Sequence, residues 1–450
     1  MFQLFVNFSR FLFFLYLGIF LFHGISLMLD DAGLTNHSHS HAVFLGRISL
    51  VLTHITAFLI LAYDTETVSF DIRVLIMASI SLLFLVLANH LANILFERSF
   101  PLIWNCVFYL FDIGLIMLWR LNPDLAYRQM IWMVMGFFAA MWIPFVMRLI
   151  PRFEHLKWLY IVLAYGLVIA TLLMGQTEYG STNWIRIGNL FTFQPSEIVK
   201  FLFIFYLASV FRRRVEWREL FLTGGLSAGL VILFVLERDL GSALIFFFTY
   251  MVLLYVATSN LLLFGAGFGV AGIGSVLAYK LFSHVRVRVA AWLDPWSDID
   301  DGGYQITQSL FAIGTGGLFG SGLTMGMPNN IPVATKDFIF SAICEEFGAV
   351  FGVGIILVFL LLFAKGFLIA YGSKRRFYGL LAAGITAMMA FQTFLIIGGN
   401  IKLIPLTGVT LPFMSYGGSS VVVSIITIGF LQWLAMQEQE EEEVMDRAAK

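Results

Sequence analysis

Charge is scarce in this chain. Lys and Arg number 27 and Asp and Glu 28 among 450 residues, 12% of the total, too few to coat a soluble protein of this length. The two signs nearly cancel, to a net charge of −1, so no field exists to draw in nucleic acid. Only two cysteines occur, Cys106 and Cys344, both inside apolar runs; that excludes a disulfide framework and gives no basis for redox chemistry. What is abundant is apolar: 60% of residues are hydrophobic, Phe alone accounts for 48, and mean hydropathy is +0.89. A soluble core cannot hide that much apolar area, and run after run reaches the roughly 20 apolar residues that cross a bilayer. The fold class expected is an all-α polytopic membrane protein.

Breaks at charged or Gly/Pro-rich segments divide the chain into about thirteen candidate spans, near 11–29, 43–62, 72–95, 102–119, 130–149, 157–174, 195–211, 220–236, 241–257, 261–281, 337–364, 377–397 and 415–435. The first is too long for a signal peptide and has no small-residue cleavage site, so it is read as retained. Basic residues gather at Arg148, Arg152 and Lys157, at Arg212, Arg213, Arg214 and Arg218, and at Lys365, Lys374, Arg375 and Arg376. The positive-inside rule puts these connections in the cytoplasm. Residues 175–194, 282–336 and 398–416 then face outward, and the acidic tail with Glu438 and Glu440 to Glu443 faces inward. Thirteen crossings put Arg10 outside, against the same rule, which leaves the N-terminal side open.

The outward segments hold the groups capable of chemistry. The run from Trp292 to Ser309 carries four carboxylates, Asp294, Asp298, Asp300 and Asp301, between two apolar stretches. They are candidates for a proton acceptor, although Asp-Pro-Trp-Ser and Asp-Asp-Gly-Gly are also turn-forming sequences. Arg286 and Arg288 precede them, and in an extended His284-Val-Arg-Val-Arg288 segment both guanidiniums would share one face. Arg186, Lys336 and Lys402 lie in or beside the outer segments, where cations either grip phosphate or snorkel to lipid headgroups. Glu197 and Lys200, three apart after Pro195, would pair on one helix face. Trp184 is an interfacial anchor or a cavity wall. The run His37-Ser-His-Ser-His41 is a poor closed metal site and a simpler polar connector.

Several motifs follow in a fixed order: Trp184-Ile-Arg186, Gln194-Pro-Ser-Glu197, Asp239-Leu-Gly241, Asp294-Pro-Trp with Gly303-Tyr-Gln, Ile313-Gly-Thr-Gly-Gly317, Asp337-Phe-Ile-Phe with Glu345-Glu346, and Pro412 to Ser420. In these the chain resembles the SEDS family (RodA, FtsW and SpoVE), the membrane polymerases of bacterial peptidoglycan, over about residues 102–435. Three departures stand out. Asp298-Ile299 replaces the usual second Asp-Pro, Arg238-Asp-Leu-Gly replaces Pro-Asp-Leu-Gly, and about 100 N-terminal residues lie outside the resemblance.

The resemblance implies a SEDS-type ten-helix core, here with about three additional N-terminal spans. Residues 1–96 would form an additional transmembrane region, 97–437 the polymerase core with a large outer loop at 282–336, and 438–450 an acidic cytoplasmic tail. It implies a peptidoglycan glycosyltransferase that polymerises lipid II at the outer face of the bacterial cytoplasmic membrane, with a class B penicillin-binding protein as partner. Asp298 aligns with the essential acid and would be catalytic. Trp184, Arg186, Glu197, Lys200, Arg286, Arg288, Lys336 and Lys402 would contact substrate or position it. No cofactor is required by these residues, and a divalent cation is compatible with a pyrophosphate substrate. Two other classes fit the spans: a flippase or transporter for the lipid-linked precursor, and a non-enzymatic scaffold for a cell-wall synthase. The N-terminal region would be dispensable for the chemistry itself.

Overall fold

Pro and side-chain caps mark where the helices begin. Pro101, Pro123 and Pro195 each occupy the first turn of a helix, where a missing N–H costs nothing. Asn122 also caps the helix that Pro123 opens, and Asp71, Asp239 and Asn260 accept bonds from the first free N–H groups of three others. A computed structural model describes all residues except 1, 32–38, 66, 97–99, 151, 179–180, 188–190, 214 and 450, with the backbone alone at 39, 176–178, 181–182, 187, 191–192 and 440–449. His37, Arg214 and the side chains of Glu440 to Glu443 thus lie outside the described residues, and with them the His-rich connector.

Three helices come first: α1 (Phe2–Asp31), α2 (His39–Ala62) and α3 (Ile72–Leu95), with a two-residue ribbon of β1 (Tyr63–Asp64) and β2 (Ser69–Phe70) between the last two. Then come α4 (Pro101–Leu121), α5 (Pro123–Met141), α6 (Ile143–Leu149) and α7 (Lys157–Met174). An antiparallel sheet of β3 (Gln176–Glu178), β4 (Ser181–Ile187) and β5 (Phe191–Phe193) leads into α8 (Pro195–Phe211), α9 (Trp217–Leu236), α10 (Leu240–Thr258) and α11 (Leu261–Leu281). The outer segment contains α12 (Ser283–Leu293) and α13 (Tyr304–Gly316), and the chain closes with α14 (Ile339–Phe347), α15 (Ala349–Gly372), α16 (Arg376–Asn400) and α17 (Gly418–Ala449).

Among the described residues, eleven helices are long and apolar enough to cross a membrane, and the bent pair α5 and α6 makes a twelfth. The chain is a multi-pass membrane protein. The seventeen-residue α8 completes the expected thirteen. One span differs from expectation. The apolar run 337–364 is cut at Gly348, whose φ of +94° is closed to L side chains, so the crossing helix is α15 and α14 folds back as a short separate helix. The break orphans backbone groups on both sides, and residues 317–322 supply their partners. Ser321 and Gly322 N–H donate to the Glu345 and Glu346 carbonyls, both at 2.9 Å, while Ala349 and Val350 N–H donate to Gly317 and Leu318. The segment 282–336 is therefore no open loop, since α12, α13 and these paired turns fill it.

The N-terminal helices are bonded into the core at three depths. Arg10 Nη1 donates to Gly320 O at 2.7 Å, His54 Nδ1 lies 2.5 Å from Asp112 Oδ1, and Lys365 Nζ donates to Asp31 Oδ2 at 2.6 Å. Arg10 thereby shares the side of the 282–336 segment, so α1 runs parallel to α15, as thirteen crossings require. Its position against the positive-inside trend is explained by the carbonyl that receives it.

Removing residues 1–96 strips His54 from Asp112 and Arg47 from Asn105, and all four meet at or near α4, which is buried along its length. An unpaired buried carboxylate costs about 3–5 kcal/mol. We expect the truncated protein to unfold at lower temperature in detergent, with Asp112→Asn in the truncated background recovering part of the loss. An unchanged unfolding temperature would mean that the docking contributes nothing to stability.

Candidate active site

At the helix ends that adjoin residues 175–194, 282–336 and 398–416 lies a cavity of about 250 Å³. Its walls come from six separate stretches: β4 and the start of α8, the α9–α10 turn, α12, residues 302–306 at the start of α13, residues 333–337, and residues 406–410.

On the first wall, Glu197 and Lys200 form a buried ion pair at 2.9 Å, and Lys200 Nζ also donates to Gln392 Oε1 at 2.9 Å. Gln392 Nε2 in turn donates to Thr410 O at 2.8 Å, so one polar chain joins α8, α16 and the 406–410 stretch. Both charges face the cavity side of the bundle, as ionisable groups in spans generally do. Trp184 stands beside them, and Lys336 Nζ lies 5.7 Å from its ring centroid, within cation–π range.

Asp239 caps α10. Its Oδ1 accepts Ser242 N–H at 2.9 Å, while Oδ2 accepts Ser242 Oγ at 2.8 Å, Asn183 Nδ2 at 3.0 Å and Gln194 Nε2 at 3.4 Å. Four donors on one carboxylate make it an anchor that fixes the sheet and the start of α8 to α10, not a group waiting for a proton.

Arg288 and Asp337 converge around Gly408. A methyl group on that residue would sit 3.8 Å from both Arg288 Nη2 and Asp337 Oδ2. Arg288 Nη1 donates to Leu406 O at 3.1 Å. Burial lowers the pKa of this guanidinium, and the carboxylates of Asp239 and Asp337 oppose the shift. Burial pushes the Asp337 carboxyl up to about 6, with Lys336 and Arg288 pulling the other way. Its surface is open to the cavity while protein shields it from bulk water. Its backbone is held by Asn400, whose Nδ2 donates to Asp337 O at 2.8 Å, and Asn400 is fixed by Ser309 and Ser341. The neighbouring Lys336 carbonyl accepts the Ser415 hydroxyl, so the Pro412 to Ser420 motif clamps this wall from below.

Of the nine site residues expected from sequence, five line the cavity: Trp184, Glu197, Lys200, Arg288 and Lys336. Asp298 is at its rim. It is exposed in a short 3-10 turn, and its Oδ2 accepts the N–H of Gly302, a lining residue, at 3.0 Å. Asp294 does what a turn former does, accepting Trp296 N–H at 3.3 Å. Three residues lie away from the cavity. Arg286 is exposed because residues 283–293 are helical, and two positions along a helix turn the side chain through about 200°, opposite to Arg288. Arg186 is exposed on β4. Lys402 contributes its backbone carbonyl, to Trp292 Nε1 at 3.2 Å.

Sequence reasoning passed over Arg238, Asn183, Gln194, Asp239 and Asp337 as site residues. Three of these stand in motifs already noted, and Asp337 adjoins Lys336, which was signal enough. Asn183 carried none, because only the fold brings it to Asp239. Among the described residues no three His, Cys, Asp or Glu side chains gather as a metal site.

Comparison with known proteins gives a consistent likeness. The profile of the FtsW/RodA/SpoVE family, described as "Cell cycle protein", matches residues 101–440. The peptidoglycan glycosyltransferase RodA of Mycobacterium tuberculosis is 35% identical over 366 residues, 74% of this chain and 76% of that one. Stage V sporulation protein E of Bacillus subtilis is 35% identical over 283 residues, 61% and 77% of the two chains. A solved chain described under "Structural coordination of polymerization and crosslinking by a peptidoglycan synthase complex" superposes with a TM-score of 0.66 at 26% identity, covering 76% of this chain and 98% of that one. The rod-shape-determining protein RodA of Thermus thermophilus gives 0.55 at 25% identity, over 75% and 96%.

Proposed function

Because this chain belongs to the FtsW/RodA/SpoVE family of cell cycle proteins, we propose that it is a peptidoglycan glycosyltransferase polymerising lipid II into glycan strands at the outer face of the bacterial cytoplasmic membrane. The observation that carries this reading is the outer-end cavity, where Arg288 and Lys336 stand with Asp337 and Trp184. A disaccharide linked through pyrophosphate to a polyprenyl tail must keep its sugars wet and its tail in lipid, and a cavity at the outer helix ends suits both.

In the transfer, the bond from the donor sugar's anomeric carbon to the diphosphate breaks and the electron pair leaves with the diphosphate. The acceptor sugar's hydroxyl oxygen bonds to that carbon, and its proton passes to a base. Arg288, forked and in a low-dielectric wall, stabilises the charge growing on the diphosphate. Asp298, at the rim where an acceptor from the outer leaflet arrives, takes the proton. Glu197 and Lys200 hold the wall on which the acceptor lies.

A second candidate for the base is Asp337, favoured by its place inside the cavity and its carboxyl held up at about 6. Whether it takes the proton or orients Arg288, its ionised form is the useful one, and that form is lost as pH falls through about 6. The rate is therefore expected to drop below pH ~6, and Asp337→Asn to abolish that limb of the profile. A wild-type profile flat to pH ~5 would exclude any role for Asp337 that depends on its charge.

A flippase would need polar groups along a mid-membrane path, whereas here they gather at the outer ends; a scaffold would leave them without a task. Purified protein with labelled lipid II in detergent separates the three. Glycan chains form only with a polymerase, transport needs a sealed membrane, and a scaffold gives neither. For this chain we propose a class B penicillin-binding protein as partner, which co-purification tests.

A further inference from the structure

Arg238 closes the turn between α9 and α10 with φ at +62°, a left-handed conformation that L side chains adopt at a cost and that Gly fills freely at helix ends. Proline, which the related motif carries at this position, cannot adopt that angle at all. The turn is tightly bonded, with Arg238 N–H on Val235 O at 3.1 Å and Asp239 N–H on Phe234 O at 2.9 Å. A non-glycine residue held in this geometry points to a task for its side chain.

That side chain is exposed and lines the cavity, and among the described residues it makes no hydrogen bond or ion pair. Among the described residues no carboxylate pairs with it directly. Both Asp239 oxygens are occupied by Ser242, Asn183 and Gln194. Glu237 is 1% exposed with an unpartnered Oε1, and burial first, then Asp239, pushes its carboxyl up to about 8, so it is uncharged at pH 7. On α12, one turn before Arg288, burial lowers the pKa of His284, and the charges of Arg238 and Arg288 lower it further, so this ring is neutral as well. The same imidazole thus senses both guanidiniums, one from each wall.

We propose that Arg238 is a second phosphate-gripping cation, which with Arg288 brackets a diphosphate and makes the cavity select diphosphate-linked over monophosphate-linked lipids. Two forked donors on two separate walls of one cavity suit two adjoining phosphates; a single phosphate engages only one of them fully. This rests on the reading of the cavity as the diphosphate site.

The test uses the full chain in detergent, with undecaprenyl diphosphate and undecaprenyl monophosphate titrated as probes. Wild type is expected to prefer the diphosphate. Arg238→Gly should weaken diphosphate binding about tenfold or more and monophosphate binding by less than about threefold, with Arg238→Lys in between. Because Gly relieves the left-handed strain, this variant should unfold at the same temperature as wild type or higher, which separates lost binding from lost folding. Unaltered diphosphate affinity in Arg238→Gly, or equal losses for both lipids, overturns the proposal while leaving the cavity's function intact. A wild-type protein that binds neither lipid overturns the cavity reading and this proposal together.

Discussion

Replacing Asp298 with Asn is expected to leave the protein folded and inserted while lowering glycan synthesis by about 10²-fold or more, the scale of a lost general base. The amide matches the carboxylate in size, and its oxygen can still accept the Gly302 N–H that now binds Asp298 Oδ2, so the turn should survive. What disappears is the ability to take a proton. Asp294→Asn should cost less, because that side chain is a turn former bonded to Trp296, and Asp300→Asn and Asp301→Asn should also cost less. The measurement is the rate of chain formation from labelled lipid II, with unfolding temperature as the control for folding. Near-normal synthesis by Asp298→Asn removes it as the base and moves the role to Asp337, whose variant is distinguished by its pH profile.

Arg288→Gln is expected to reduce turnover by about 10²-fold while changing the half-saturation concentration far less, and Arg286→Gln to change neither appreciably. Charge on the diphosphate rises as the sugar–phosphate bond breaks, so a guanidinium in a half-buried wall acts more on the transition state than on the bound substrate. Loss of one such preorganised donor typically costs about 10²–10³ in rate. Lys should substitute poorly, since it lacks the fork that lets Arg288 bond the Leu406 carbonyl and a phosphate together. The contrast with Arg286 is the sharper test, because the two residues are equal in charge and two positions apart. An effect confined to half-saturation would make Arg288 a binding group only, and equal effects at both positions would mean that the helical face does not matter.

The helices were largely legible because crossing a bilayer requires about 20 apolar residues, and that demand is written locally. Spans expected at 72–95, 157–174, 195–211 and 261–281 coincide with α3, α7, α8 and α11. The shifted one, 337–364, failed because Glu345, Glu346 and Gly348 interrupt the run without saying which way the chain turns there; the backbone angle at Gly348 shows that α14 folds back as a separate helix. The side of the membrane on which the N-terminus lies was undecidable from charge, since Arg10 opposes the rule, and the Gly320 carbonyl that accepts it is 310 residues away.

The same division runs through the site. Composition and motif order by themselves determined a membrane-embedded chain and the family to which it belongs, because each depends on residue types and their order alone. Which of two arginines faces the cavity depended on whether residues 283–293 were extended or helical, a choice decided by α12 packing between α11 and the turn at Pro295–Asp298. That Asp239 is a saturated anchor, Asp337 a carboxyl held up by burial and Arg238 a cavity-lining cation with no ion pair among the described residues was settled by side chains from distant segments converging on one cavity. Such properties belong to the surroundings of a group, and only the tertiary structure supplies those surroundings.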